Sequence, residues 1–172
     1  MGKAKKIGTT IHTLHHTRHD LAPEVRAQMV ELLNQQMADT FDLYSQTKQA
    51  HWNVKGMHFQ QLHTLFDELA GGILGFIDML AERAAILGGN AYGTARMAAA
   101  KTRLPEFPTL PQAGAAYVVA LAERYAHLAK TTRAAMDTAD EAGDADTADL
   151  LTEVSRALDK SLWFLEAHIQ ES

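Results

Sequence analysis

Residues 88–110 are the one long break in a chain whose apolar residues otherwise recur at helical spacing. The break holds three glycines and two of the chain's four prolines. Before it, one stripe runs through Val25, Met29, Leu32, Leu33, Met37, Phe41 and Tyr44. A second runs through Leu62, Leu65, Phe66, Leu69, Ile73, Phe76, Ile77 and Leu80. After it come Tyr117, Leu121, Tyr125, Leu128 and Met136, then Leu150, Leu151, Val154, Leu158, Leu162, Leu165 and Ile169. Spacings of three and four mark one face of a helix. Pro23 suits the first turn of the first helix, and Asn53 and Gly56 are its stop residues. The second helix is expected from about Phe59 to Leu87, ended by Gly88-Gly89. The third is expected from Pro111 to about Ala139, and the fourth from Asp146 or Thr147 through Ile169. Thr94–Lys101 has the pattern of a short helix inside the long connection.

Loop length then sets topology. Short first and third connections make two antiparallel helix pairs. A connection of this length between the second and third helices crosses the whole bundle. One long crossover in a four-helix bundle is the ferritin-like arrangement. The expected fold is therefore all-α: a ferritin-like four-helix bundle at 21–172, with a short helix in the crossover and an N-terminal arm at 1–20. At 172 residues the chain suffices for one domain with its own core. Cysteine is absent, which excludes disulfides, thiolate metal sites and a cysteine nucleophile. No apolar run approaches the roughly 20 residues that span a bilayer, and the N-terminus lacks the apolar core of a secretory signal. No membrane association and a cytoplasmic location are expected.

Ionisable groups sit inside the apolar pattern of the second helix, where they are costly unless paired or holding a metal. With His63 as zero, Asp67 falls near 40°, Asp78 near 60° and Glu82 near 100° on a helix of roughly 100° per residue. His51 continues the heptad series Met37, Tyr44, His51 of the first helix. Asp67 and Asp78 lie eleven residues apart, roughly 16 Å along the axis, too far for one metal to join. The four residues of the second helix therefore make two pairs, His63/Asp67 and Asp78/Glu82. An antiparallel copy related by a two-fold axis would bring the first pair of one chain onto the second pair of the other and create two identical sites. The inferred ligand set is His51, His63 and Asp67 from one subunit with Asp78 and Glu82 from its mate. Two imidazoles and three carboxylates suit Fe(II), and less selectively Zn(II), Mn(II) or Co(II). The paired Glu-x-x-His motifs of an intrachain di-iron bundle are missing: His127 follows Glu123 by four, and His168 follows Glu166 by two. The competing reading is a solvated face on which these acids pair with Lys48, Lys55 or Arg83.

Lys48-x-x-His51-Trp52-Asn53-x-x-Gly56-x-x-Phe59-x-x-x-His63-x-x-x-Asp67 resembles the signature of the Dps family of mini-ferritins. Asp78-x-x-x-Glu82-Arg83-Ala84-x-x-Leu87-Gly88-Gly89 continues the resemblance, and Asp159-Lys160-x-x-Trp163-Phe164-x-Glu166 resembles the family's last-helix motif. It spans roughly residues 20–169. What the resemblance implies is a homododecameric shell with di-iron ferroxidase centres at two-fold interfaces, two irons per centre, carrying the same five ligands. Zinc would be a substitute metal. The implied chemistry is oxidation of Fe(II), with hydrogen peroxide preferred as oxidant, and storage of the ferric product as mineral, which protects DNA. Trp52, beside His51, would donate an electron or simply pack at an interface. Lys48 would hydrogen-bond behind the ligands. Asp146 and Asp149 are the candidate residues of a cation pore at the junction of the last two helices, although one of these acids would equally cap a helix.

The net charge of −5 is uneven: residues 1–19 carry +4 and the remainder −9. Lys3, Lys5 and Lys6 make the arm a candidate DNA-binding segment, which would associate the shell with the nucleoid. A solubilising tail is the alternative. His12, His15, His16 and His19 would share a metal-binding face if the arm were helical. A second function class remains, a non-specific DNA-binding shell that protects mainly by physical condensation.

Overall fold

Proline at the first turn, a long apolar stripe and few helix breakers produce α1 (Pro23–Asn53). In the computed structural model, residues 14–109 and 113–170 are described. They also form α2 (Phe59–Ile86), α3 (Ala95–Lys101), α4 (Gly114–Glu141) and α5 (Ala145–Glu166), with no strand among the described residues. Short turns join α1 to α2 and α4 to α5, and the connection between α2 and α4 carries α3 along the bundle. The core falls into two clusters. One gathers Leu43, Phe66, Leu121, Tyr125, Leu128 and Leu158. The other gathers Met29, Leu33, Met37, Leu80, Leu87 and Leu151.

The last two long helices differ at their ends from the sequence expectation. The third is described from Gly114, and its expected start at Pro111 lies outside the described residues. The fourth starts at Ala145, because Asp144 is the residue that caps it: its side chain accepts from the Thr147 backbone N–H at 3.1 Å. That helix also stops at Glu166, short of Ile169.

The crossover is fastened by polar groups buried on α1. Asp39 is fully buried and accepts from Arg103 through its backbone N–H at 2.7 Å, Nε at 2.9 Å and Nη2 at 2.6 Å. Gln46 donates to the Pro105 carbonyl and Thr102 to Asp42, while Arg124 of α4 donates to the Glu106 carbonyl. These contacts satisfy the backbone of a long loop that makes no ladder of its own. They also explain why α1 buries Asp39 and Gln46 on faces that an apolar stripe does not predict.

Residues 14–22 lie against the end of α2. The His15 backbone N–H donates to the Gly88 carbonyl at 2.7 Å, and Leu14 and Leu21 pack on the second core cluster. Gly88 has φ +88°, and a Cβ there would stand 2.8 Å from the His15 carbonyl oxygen, so both backbone conformation and space require glycine.

Arg103→Met strands the buried Asp39 carboxylate, which should cost about 3–5 kcal/mol. A melting curve should show a clear drop for this variant and a smaller one for Arg103→Lys; an unchanged Arg103→Met melt would contradict the clamp.

Candidate metal centre

His51 lies in the last turn of α1 and His63 near the start of α2, facing each other across the turn at 54–58. Each holds the other's backbone. His51 Nδ1–H donates to the His63 carbonyl at 2.8 Å, and His63 Nδ1–H donates to the His51 carbonyl at 2.9 Å. A carbonyl oxygen only accepts, so both Nδ1 atoms carry a proton, and in the neutral form of each ring Nε2 is the atom left with a lone pair. The rings stack at 3.8 Å between centroids. This arrangement fixes tautomer and orientation in the way a metal-binding imidazole requires.

Asp67 stands one helical turn beyond His63. Its Oδ1 lies 3.9 Å from His51 Nε2 and 2.7 Å from Lys48 Nζ. The Lys48 hydrogen bond holds the Asp67 carboxyl below the usual carboxylate range; desolvation opposes this, and the charges of Lys48, His51 and His63 act in the same sense as the bond. Lys48 Nζ also lies 5.8 Å from the centre of the Trp52 ring. Trp52 itself is 66% exposed, so its ring is not packed within this chain.

Asp78 and Glu82 are exposed, and no hydrogen bond or ion pair among the described residues engages either carboxylate. Of the pairings that the competing reading called for, the one between Asp67 and Lys48 forms and none with Arg83 does. Between the two pairs of ligands α2 shows Gly71, Gly72 and Gly75, all exposed, with nothing within 4 Å of where a Cβ would stand. Leu74 and Ile86 on this helix are more than half exposed. The structure thus brings His51, His63 and Asp67 together and leaves Asp78 and Glu82 apart from them. Among the described residues of one chain, no group of three or more acids and histidines is placed to hold a metal.

Asp146 and Asp149 are both exposed at the start of α5, and Asp146 lies 3.6 Å from Arg83. His15 bonds Asn90, His16 is exposed, and His19 accepts from the Leu21 backbone N–H. Residues 14–20 are not helical, so the spacing of these histidines makes no common face. Lys3, Lys5, Lys6 and His12 lie outside the described residues. Sequence reasoning missed the buried group of Arg83, Asp144 and Thr147. The signal available was Asp144-x-x-Thr147 ahead of an apolar run, the pattern of a capped helix start.

The sequence pattern of the ferritin-like domain family matches residues 30–172. The chain is 43% identical over 157 residues to the "DNA protection during starvation protein" of Agrobacterium fabrum, covering 91% of this chain and 97% of that one. It is 36% identical over 139 residues to the protein of the same description from Brevibacillus brevis, covering 81% and 93%. In three dimensions it is similar to DpsC from Streptomyces coelicolor, with a TM-score of 0.89 and 33% identity over 95% of this chain and 98% of that one. It is similar also to a Dps protein from Bacillus brevis, with a TM-score of 0.81 and 33% identity over 86% and 98%.

Lys48→Met should return the Asp67 carboxyl upward to the usual carboxylate range in a carbon-13 titration. Because the folded value is depressed, the Lys48 bond supports the fold above the ordinary Asp range and loses that effect as pH falls through the depressed value. An Asp67 titration unmoved by Lys48→Met would contradict the assigned cause.

Proposed function

We infer the function from one premise: this chain belongs to the Dps family of ferritin-like proteins. Iron storage and DNA protection are the roles of that family. We propose that the chain is a ferroxidase that oxidises Fe(II), preferentially with hydrogen peroxide, at di-iron centres shared between two copies, within a homododecamer that stores the ferric product. Iron is here substrate and cargo. His51, His63 and Asp67 of one chain meet Asp78 and Glu82 of its mate. The observation that carries this reading is the reciprocal bonding of His51 and His63, which turns both Nε2 atoms away from the backbone, that of His51 to 3.9 Å from Asp67. An ordinary solvated face would have no use for imidazoles fixed in this way.

In the proposed chemistry two Fe(II) each give one electron to one hydrogen peroxide. With two waters the products are two ferric oxyhydroxide units and four protons, and no hydroxyl radical is released. Asp78 and Glu82, unpaired and anionic, hold the tighter iron, and Glu82 is the carboxylate able to bridge. Asp67 joins the two histidines at the weaker site, for which it must leave Lys48. While iron is absent, the ammonium of Lys48 neutralises the Asp67 carboxylate. Trp52 is the nearby electron donor for a stray radical. Asp146 and Asp149 admit cations toward the interior, and Lys3, Lys5 and Lys6 contact DNA phosphates in the cytoplasm. Nothing in the comparisons favours zinc over iron.

Anaerobic loading with Fe(II) followed by peroxide pulses tests this directly. Oxidation should finish near two irons per peroxide, with iron retained on the particle, and Asp78→Ala should abolish the fast phase without changing particle size. Oxidation no faster than buffer would sink the ferroxidase reading. A salt-sensitive gel shift lost on deleting residues 1–7 would then leave the physical DNA cover as the function.

A further inference from the structure

Two devices hold the two halves of the proposed centre, and they differ. The His51/His63 half locks itself through its reciprocal backbone bonds. Asp78 and Glu82 have no such support, so their positions follow the backbone of α2 alone. From His63 to Glu82 is roughly 28 Å along the helix, and Gly71, Gly72 and Gly75 interrupt that span. Glycine weakens a helix and is where bends localise. The histidines, roughly five turns away, therefore give the far end of α2 little directional hold.

Its apolar contacts do little better. Leu80, Ala84 and Leu87 bury the inner face there, but apolar packing is non-directional. A 20° roll of the helix moves a group near its outer radius by about 2 Å. Metal ligands tolerate a few tenths of an ångström. A directional contact is needed, and one exists beside Glu82. Arg83 is buried; its Nη2 donates to Asp144 at 2.6 Å and its Nε to Thr147 Oγ1 at 2.9 Å. Thr147 Oγ1 in turn donates to the other Asp144 oxygen at 2.6 Å. Asp144 and Thr147 are themselves 2% and 0% exposed. The three side chains close a ring between the last turns of α2 and the capped start of α5.

We propose that Arg83 is a positioning residue for the Asp78/Glu82 half of the centre, acting through its buried fork on Asp144 and Thr147. The proposal rests on the shared-centre reading above. Arg83 touches no iron. It fixes the roll and axial position of the helix end that presents the two carboxylates. One consequence is that the start of α5, with Asp146 at 3.6 Å from the same guanidinium, moves only together with this half of the centre.

The test uses Co(II), which peroxide-free buffer does not oxidise, titrated into the assembled particle with calorimetry and the visible spectrum as readouts. The double variant Arg83→Met/Asp144→Asn removes both buried charges while Asn still caps α5. It should bind Co(II) about tenfold more weakly, the usual scale for losing a supporting contact, with an altered visible spectrum. Arg83→Lys should restore part of the affinity. The control is Arg103→Met/Asp39→Asn, which removes the crossover pair between buried Asp39 and solvent-facing Arg103: its melt should fall with Co(II) binding unchanged. If the Arg83 double variant fails to assemble, Thr147→Val, which deletes only the hydroxyl, should show a smaller loss in the same direction. Equal binding in parent and Arg83 variants would overturn the proposal, as would equal losses in the Arg83 and Arg103 pairs. Asp78→Ala separates the two levels. If it leaves Co(II) binding intact, the shared-centre reading fails; if it abolishes binding and the Arg83 variants do not weaken it, only this inference fails.

Discussion

A helix cannot bring its own residues 67 and 78 together. Roughly 16 Å of helix rise separates them, and this distance governs the rest of the molecule. It leaves two separate pairs of candidate ligands on α2, and among the described residues of one chain no group of three or more is placed to hold a metal. It also requires the intervening face to stay open. Gly71 and Gly75, together with Leu74, give that face the small and apolar surface on which another helix can lie close. The proposed function accordingly puts the halves of the centre on different copies, and catalysis in the assembly rather than in the chain.

The bundle serves this arrangement by fixing what must not move. Apolar burial supplies most of the driving force for folding, but it does not set register or roll. Directional contacts do that, and they occur at three places. Asp39 and Arg103 pin the crossover to α1. The two histidines pin the turn between α1 and α2. Arg83 and Asp144 pin α2 to α5. An ion pair with a buried carboxylate contributes little net stability as a whole although losing one partner is costly, and in some proteins such pairs select one arrangement among several.

Much of the fold was legible because it depends on period and punctuation. Val25 through Tyr44 and Leu62 through Leu80 announce their helices, Gly88-Gly89 ends one, and the length of 88–110 dictates the crossover. The short helix was legible as well, with Thr94 capping Ala95–Lys101. The angular grouping of His63, Asp67, Asp78 and Glu82 was readable from spacing alone. Tertiary polar pairing was not. Nothing local marks Arg83 for Asp144 rather than for Asp78 or Glu82, because the choice is made by which face of α2 meets α5. The reciprocal histidine bonds were hidden for the same reason: they depend on how tightly the turn at 54–58 closes.

Sharing of the centre is tested most directly by mixing two inactive chains. A His63→Ala chain and an Asp78→Ala chain each lack one half of every site. Paired about a two-fold axis, they form one site with both defects and one with none. Random co-assembly of equal amounts should restore about a quarter of the parent's fast Fe(II) oxidation. A mixed particle of normal size with no recovered oxidation would contradict a centre built from two copies.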